Sequence, residues 1–189
     1  MKRWIPLLCL GVLSGCSTLN ENECRNANWT QIGIHDGQFG ERTDLLARHR
    51  EACSKYGLEA DEAAYFAGRE QGLVQYCDLN NSFRLGLNGT RYKGTCPNNI
   101  DLQFNRYNDA ALQIYTLKTQ LRDTDTRLDK EEREYRMGKD SLRERHERRS
   151  LIQQRQRLRD DLLIQQREVD RLMLEARNLS PTQTLTTTP

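Results

Sequence analysis

The 189-residue chain has only 4 prolines, 3 methionines and 2 tryptophans, and aromatic residues make up 7%. Its longest largely apolar stretch, Trp4 to Leu13, is ten residues long and is interrupted by Pro6 and Gly11. Ten helical residues rise ~15 Å, half of a ~30 Å hydrocarbon core, so no permanent span is expected there. An excess of one charge is also lacking: 29 Lys+Arg face 27 Asp+Glu. Near-neutrality argues against general nucleic-acid binding. There is no CxxC, HExxH, GxSxG, Gly-Lys-Ser/Thr loop or paired-carboxylate signature, so neither metal, cofactor nor enzymatic chemistry is expected. The three histidines, 35, 49 and 146, form no sequence-level dyad; His49 reads as a surface or packing residue of an amphipathic stretch. Hydrophobic residues at 36% are nevertheless too many for a wholly disordered chain.

Lys2 and Arg3 precede the short apolar stretch, which ends in Leu13-Ser14-Gly15-Cys16. This arrangement resembles the lipobox that closes the signal peptide of bacterial lipoproteins. The resemblance implies removal of residues 1–15, a diacylglycerol thioether on Cys16, and acylation (palmitate) of the new amine. Buried acyl chains contribute ~0.8 kcal/mol per CH₂, so several of them anchor a protein stably. Ser17, with no Asp at that position, implies the outer membrane by analogy with enterobacterial sorting, with the protein facing the periplasm. Taking Lys2 and Arg3 from the 29 bases leaves 27 against 27 acids, a neutral mature chain.

Of the six cysteines, Cys9 leaves with the signal and Cys16 carries lipid; Cys24, Cys53, Cys77 and Cys96 remain. An oxidising compartment favours two disulfides. Four cysteines allow three pairings. Cys24–Cys53 with Cys77–Cys96 is the favoured one, closing loops of ~20–30 residues and stabilising by ~3 kcal/mol each.

Residues 16–23 read as a linker and 24–100 as a glycine-rich helical head. Trp29, Gly33, Gly37 and Gly40 step by four, four and three; Tyr65, Gly68, Gly72 and Tyr76 step by three, four and four. Each set lies along one helix face, which suits close helix–helix packing despite the ~1 kcal/mol that glycine costs a helix. A looser third copy is Phe83, Gly86 and Gly89. The spacing predicts helices over 45–56, closed by Gly57, over 62–76, capped by Asp61, and a short one ending at Leu87, capped by Asn80 or Asn81. Arg91 to Pro97 reads as an extended closing segment.

The string Trp29, Gly33, Asp36-Gly37, Gly40, Cys53, Gly57, Asp61, Tyr65, Gly68, Gly72-Leu73, Tyr76-Cys77, Gly86, Gly89, Tyr92, Gly94, Cys96-Pro97 resembles a family of proteobacterial lipoproteins carrying domain of unknown function 2799. The resemblance implies an envelope lipoprotein and transfers no catalytic residue.

From Asp101 to Leu179 there is no proline and one glycine, Gly138. Ile114, Leu117, Leu121, Thr124, Leu128, Glu131 and Tyr135 form one heptad seam. Leu151, Arg155, Leu158, Leu162, Gln165, Val169, Leu172, Ala176 and Leu179 form another. With a break at 138–141, the expected fold is mainly α: a small disulfide-stapled helical head, then a long antiparallel coiled-coil helical hairpin (101–179) with arms 103–137 and 141–178. One uninterrupted, dimerising coiled coil is the competing expectation. Residues 180–189, SPTQTLTTTP, read as a disordered tail. Between 143 and 159 stand seven arginines. Arg143, Arg145, Arg148, Arg149 and Arg155 are the candidate contacts for an anionic ligand or acidic partner. Function is therefore read as structural or interactive, the partner being an envelope protein or peptidoglycan, with no nucleic acid involved.

Overall fold

A computed structural model describes residues 18–179. The signal segment 1–15, Cys16 and the tail 180–189 lie outside the described residues. Among the described residues there are seven helices: α1 (Glu21–Arg25), α2 (Trp29–Gln38), α3 (Asp44–Ser54), α4 (Glu62–Tyr76), α5 (Leu79–Leu87), α6 (Asn98–Arg136) and α7 (Leu142–Leu179). No strand is present among the described residues. The fold is mainly helical, with two disulfides, Cys24–Cys53 and Cys77–Cys96, whose sulfurs lie 2.04 and 2.17 Å apart.

The glycine faces meet each other. An alanine Cβ at Gly33 would lie 2.0 Å from the Tyr65 carbonyl oxygen; at Gly68 it would lie 2.0 Å from the Thr30 carbonyl oxygen. Gly37 and Gly72 are similarly filled by the opposing backbone. Contacts advance together along both chains, so α2 and α4 run parallel at backbone-to-backbone range, a distance open only to residues without a side chain. The third copy obeys the same rule against another helix. Gly86 presses on the Asn108 carbonyl of α6, and the Phe83 and Tyr107 rings stack at 5.0 Å. The repeated aromatic–glycine pattern is thus a packing rule applied twice, once within the α2–α4 pair and once between α5 and α6.

Caps divide the rest. Asp61 accepts the Ala64 N–H at 2.9 Å, as its position suggests. For α5 the capping residue is Asp78, which accepts the Asn80 N–H at 2.8 Å, while Asn80 and Asn81 fall inside the first turn. Pro97 stands at the N-cap of α6, so that helix begins at Asn98, ahead of the expected start at 103.

Two apolar clusters result. One joins Cys24, Trp29, Leu46, Cys53 and Tyr65 of α1–α4. The other runs from Leu73, Tyr76 and Cys77 through Phe83, Tyr92 and Cys96 to Phe104, Tyr107, Ala111 and Ile114 of α6, and on to Val169, Leu172 and Ala176 of α7. The second cluster spans residue 100, so the base of the two long helices is built into the body.

Beyond it, α7 returns along α6 in the opposite direction. Arg106 pairs with Glu175 at 3.0 Å, Gln165 Nε2 donates to the Ala110 carbonyl at 3.0 Å, and Arg127 pairs with Glu147 at 3.1 Å. The partners approach each other in number toward the Gly138 turn. The inward residues include Leu117, Leu128, Leu151 and Leu158. Of the polar positions along these two helices, Thr124 donates to the Gln120 carbonyl one turn earlier, and Arg155 lies 3.9 Å from Asp125. Tyr135, expected on the seam, is 53% exposed because it turns toward Arg148 instead. The 22 residues of α6 after Ile114 carry the pair roughly 33 Å beyond the body.

Candidate functional site

Two places concentrate polar chemistry: the turn where α6 passes into α7, and the interior of the α1–α4 body.

At the turn, Gly138 adopts φ +84°, a conformation glycine reaches without the steric cost other residues incur. The chain re-enters a helix through a reciprocal cap. The Ser141 N–H donates to Glu144 Oε2 at 2.6 Å, and the Glu144 N–H donates to Ser141 Oγ at 3.3 Å. The Ser141 backbone N–H first, and the Ser141 side chain second, hold the Glu144 carboxyl below the ordinary carboxylate range. Asp140 receives Arg148 at 2.8 Å and Arg145 at 3.4 Å. The Arg148 guanidinium also lies over the Tyr135 ring, 4.5 Å from its centre, and the side chain is largely covered.

The five arginines singled out by sequence therefore separate. Arg145 and Arg148 lock the turn to Asp140, and Arg155 faces Asp125 across the helix pair. Arg143 and Arg149 are exposed and make no hydrogen bond or ion pair among the described residues. The charge run is thus partly a fastening and partly free.

The interior holds a network that sequence reasoning did not find. Asp36 of α2 is buried, and its Oδ2 accepts the Tyr65 hydroxyl at 2.8 Å and His49 Nε2 at 3.1 Å. A carboxylate only accepts, so Nε2 carries the proton. The other ring nitrogen, Nδ1, lies 2.9 Å from Thr18 Oγ1. Burial opposes the Asp36 charge, but hydrogen bonds from His49 and Tyr65 and the attraction of the imidazole outweigh it, leaving the carboxyl below its usual range. Burial, then the Asp36 bond and charge, drive the Tyr65 phenol well above its usual value. The signal that could have found Asp36 is its register. It stands seven residues after Trp29 and three after Gly33, on the buried face of α2.

Hydroxyl, imidazole and carboxylate here share the connectivity of a nucleophile–base–orienter chain. Yet Asp36, His49 and Tyr65 are buried and mutually satisfied, which suits holding the chain more than acting on a ligand. What they hold is the start of the described chain: Thr18 is tied to α3 by His49, and Cys24 to α3 by Cys53. His35, beside Asp36 in sequence, stays largely exposed.

Among the described residues no helix is long and apolar enough to cross a membrane, and no group of three or more His, Cys, Asp or Glu side chains is placed to hold a metal ion.

The architecture defines a disulfide-braced helical domain with two long helices rising from its core. Residues 28–113 match the model of a family described as "Protein of unknown function (DUF2799)". The match begins at the cap of α2 and ends at the last turn of α6 that enters the body's core, beside Ala111 and Ile114. No curated protein and no solved structure matches this chain.

Proposed function

We propose that this chain is a lipid-anchored envelope protein with a structural or interaction role, its acyl group on Cys16 and its body facing the periplasm at the outer membrane. In this reading α6 and α7 form a coiled-coil hairpin that presents its turn at a set distance from the bilayer. The observation that carries the proposal is the Thr18–His49 contact. It brings the chain into the body two residues after Cys16, so an anchor there would seat the folded domain against the membrane instead of on a long leash. The disulfides agree with an oxidising compartment.

The buried, satisfied character of Asp36 and His49 favours this role over catalysis. A second reading, binding of peptidoglycan or another anionic glycan at the turn, draws on the unpaired Arg143 and Arg149. It predicts wall binding that weakens with salt and is lost in an Arg143→Glu, Arg149→Glu double variant.

Labelling with palmitate tests the main reading. Incorporation that disappears in Cys16→Ala is the expected result. Absence of label in the unaltered chain, together with its release as a soluble protein, would refute it.

A further inference from the structure

We infer that the turn between α6 and α7 is a docking surface for an anionic phospholipid bilayer. The inference rests on the hairpin reading and adds the chemistry of what the hairpin meets.

Three observations converge. The first is apolar exposure where a soluble turn has no need of it. Met137 is 69% exposed and Leu142 71%, on either side of Gly138. The second is an imbalance of available charge. Arg136 and Arg143 are exposed and make no hydrogen bond or ion pair among the described residues; Lys139 is exposed and acts on Glu144 only through charge; Asp140 is occupied by Arg145 and Arg148, and Glu144 by the Ser141 cap. The next acids are Glu134 and Glu132, two and four residues before Arg136, and Glu147, which pairs with Arg127. The third is a satisfied backbone. The N–H groups of Met137, Gly138 and Lys139 all bond to α6 carbonyls, and that of Ser141 bonds to Glu144. A segment entering the headgroup region then brings few unpaired amide donors with it.

Unpaired cations interleaved with exposed apolar side chains are the chemistry of a bilayer surface: phosphates take the bases, and the acyl boundary takes methionine and leucine. Wall glycan would serve the cations but leave Met137 and Leu142 in water. The Asp140–Arg148–Tyr135 fastening sits behind these residues and keeps the surface in shape.

The test uses the lipid-anchored chain in vesicles of neutral phosphatidylcholine, carrying Leu142→Trp as a reporter. The native Trp29 is buried and serves as an unresponsive background. Acceptor vesicles contain brominated, anionic phosphatidylglycerol or brominated neutral lipid. Expected is a blue-shifted, quenched reporter with anionic acceptors only, reversed by high salt. Neutralising Arg136, Lys139 and Arg143 to glutamine together should weaken capture about 100-fold, from the energy of three basic residues at an anionic surface. Met137→Ser, in the reporter background, should retain the initial salt-sensitive encounter but lose most of the quenching.

Unchanged emission with every acceptor would overturn the inference, and would do so in favour of the wall if the same chain co-sediments with purified sacculi. Failure of the chain to enter the donor vesicles would instead sink the anchoring proposal. The reporter chain added free to anionic vesicles then decides the turn by the same spectral criterion.

Discussion

Replacing Gly68 by alanine opposes two effects whose sizes can be set against each other. Position 68 lies inside α4, where alanine is favoured over glycine by about 1 kcal/mol on propensity alone. The added Cβ, however, would stand 2.0 Å from the Thr30 carbonyl oxygen, against an ordinary contact of 3.4 Å or more. The obstacle is backbone, so no rotamer change relieves it. Either α2 or α4 must retreat by about 1.4 Å at this point, the difference between those two distances. That movement would also loosen the neighbouring contacts at Gly33, Gly37 and Gly72. Overpacking of a well-filled core costs about 1–3 kcal/mol, and a backbone clash belongs at the upper end or beyond. After the propensity gain, a net loss of about 2 kcal/mol is expected. For a chain of this size it lowers Tm by roughly 4–8 °C. Thermal melting with both disulfides oxidised reads the change, and Val74→Ala, on the exposed side of the same helix, is the control. A Tm that rises in Gly68→Ala would mean that propensity wins and that the α2–α4 approach is not as close as described.

Asp36→Asn should cost about 2–3 kcal/mol by weakening two bonds to a charged acceptor. Because the folded Asp36 carboxyl sits below its usual value, its contribution is present above pH ~4 and fades as pH falls below that. Acid unfolding curves of the parent and the asparagine variant should therefore converge at low pH, and parallel curves would contradict the network. Opening Cys77–Cys96 by a double alanine change should lower stability by about 3 kcal/mol, read as a shifted urea midpoint; an unchanged midpoint would deny that bridge. Burial, reinforced by Asp101 and Glu175 respectively, pushes the Tyr92 and Tyr107 phenols up to about 12. Their stabilising effect is complete below pH ~10 and disappears as pH rises toward 12, so phenolate absorbance from these two should appear together with alkaline unfolding. Its appearance near pH 10 in a still-folded chain would refute the assignment.

Helix faces, caps and cysteine spacing were readable because each is a local rule. Gly33 with Gly37 and Gly68 with Gly72 announce close approach before any partner is known, and the two faces prove to be each other's partner. The interior network was not readable, since its members stand 13 and 29 residues from Asp36 and meet only after α2, α3 and α4 have packed. Arg145 and Arg148 looked like ligands because a charge run does not reveal which of its members a nearby acid occupies. The cap of α5 was misplaced by two or three residues because Asp78, Asn80 and Asn81 are all competent in sequence, and only backbone geometry selects among them.

Whether the chain folds back on itself decides where its free extremity lies. Arg127→Lys brings an amine opposite Glu147, whose carboxylate now lies 3.1 Å from the Arg127 guanidinium. A zero-length carboxyl–amine crosslinker can then join the pair. Performed on a mixture of isotopically light and heavy chains, the reaction should give a 127–147 crosslink of single isotopic origin in a band of monomer size. Mixed-isotope crosslinks in a dimer band would show that residues 98–179 pair between chains, and that residues 136–143 are no extremity at all.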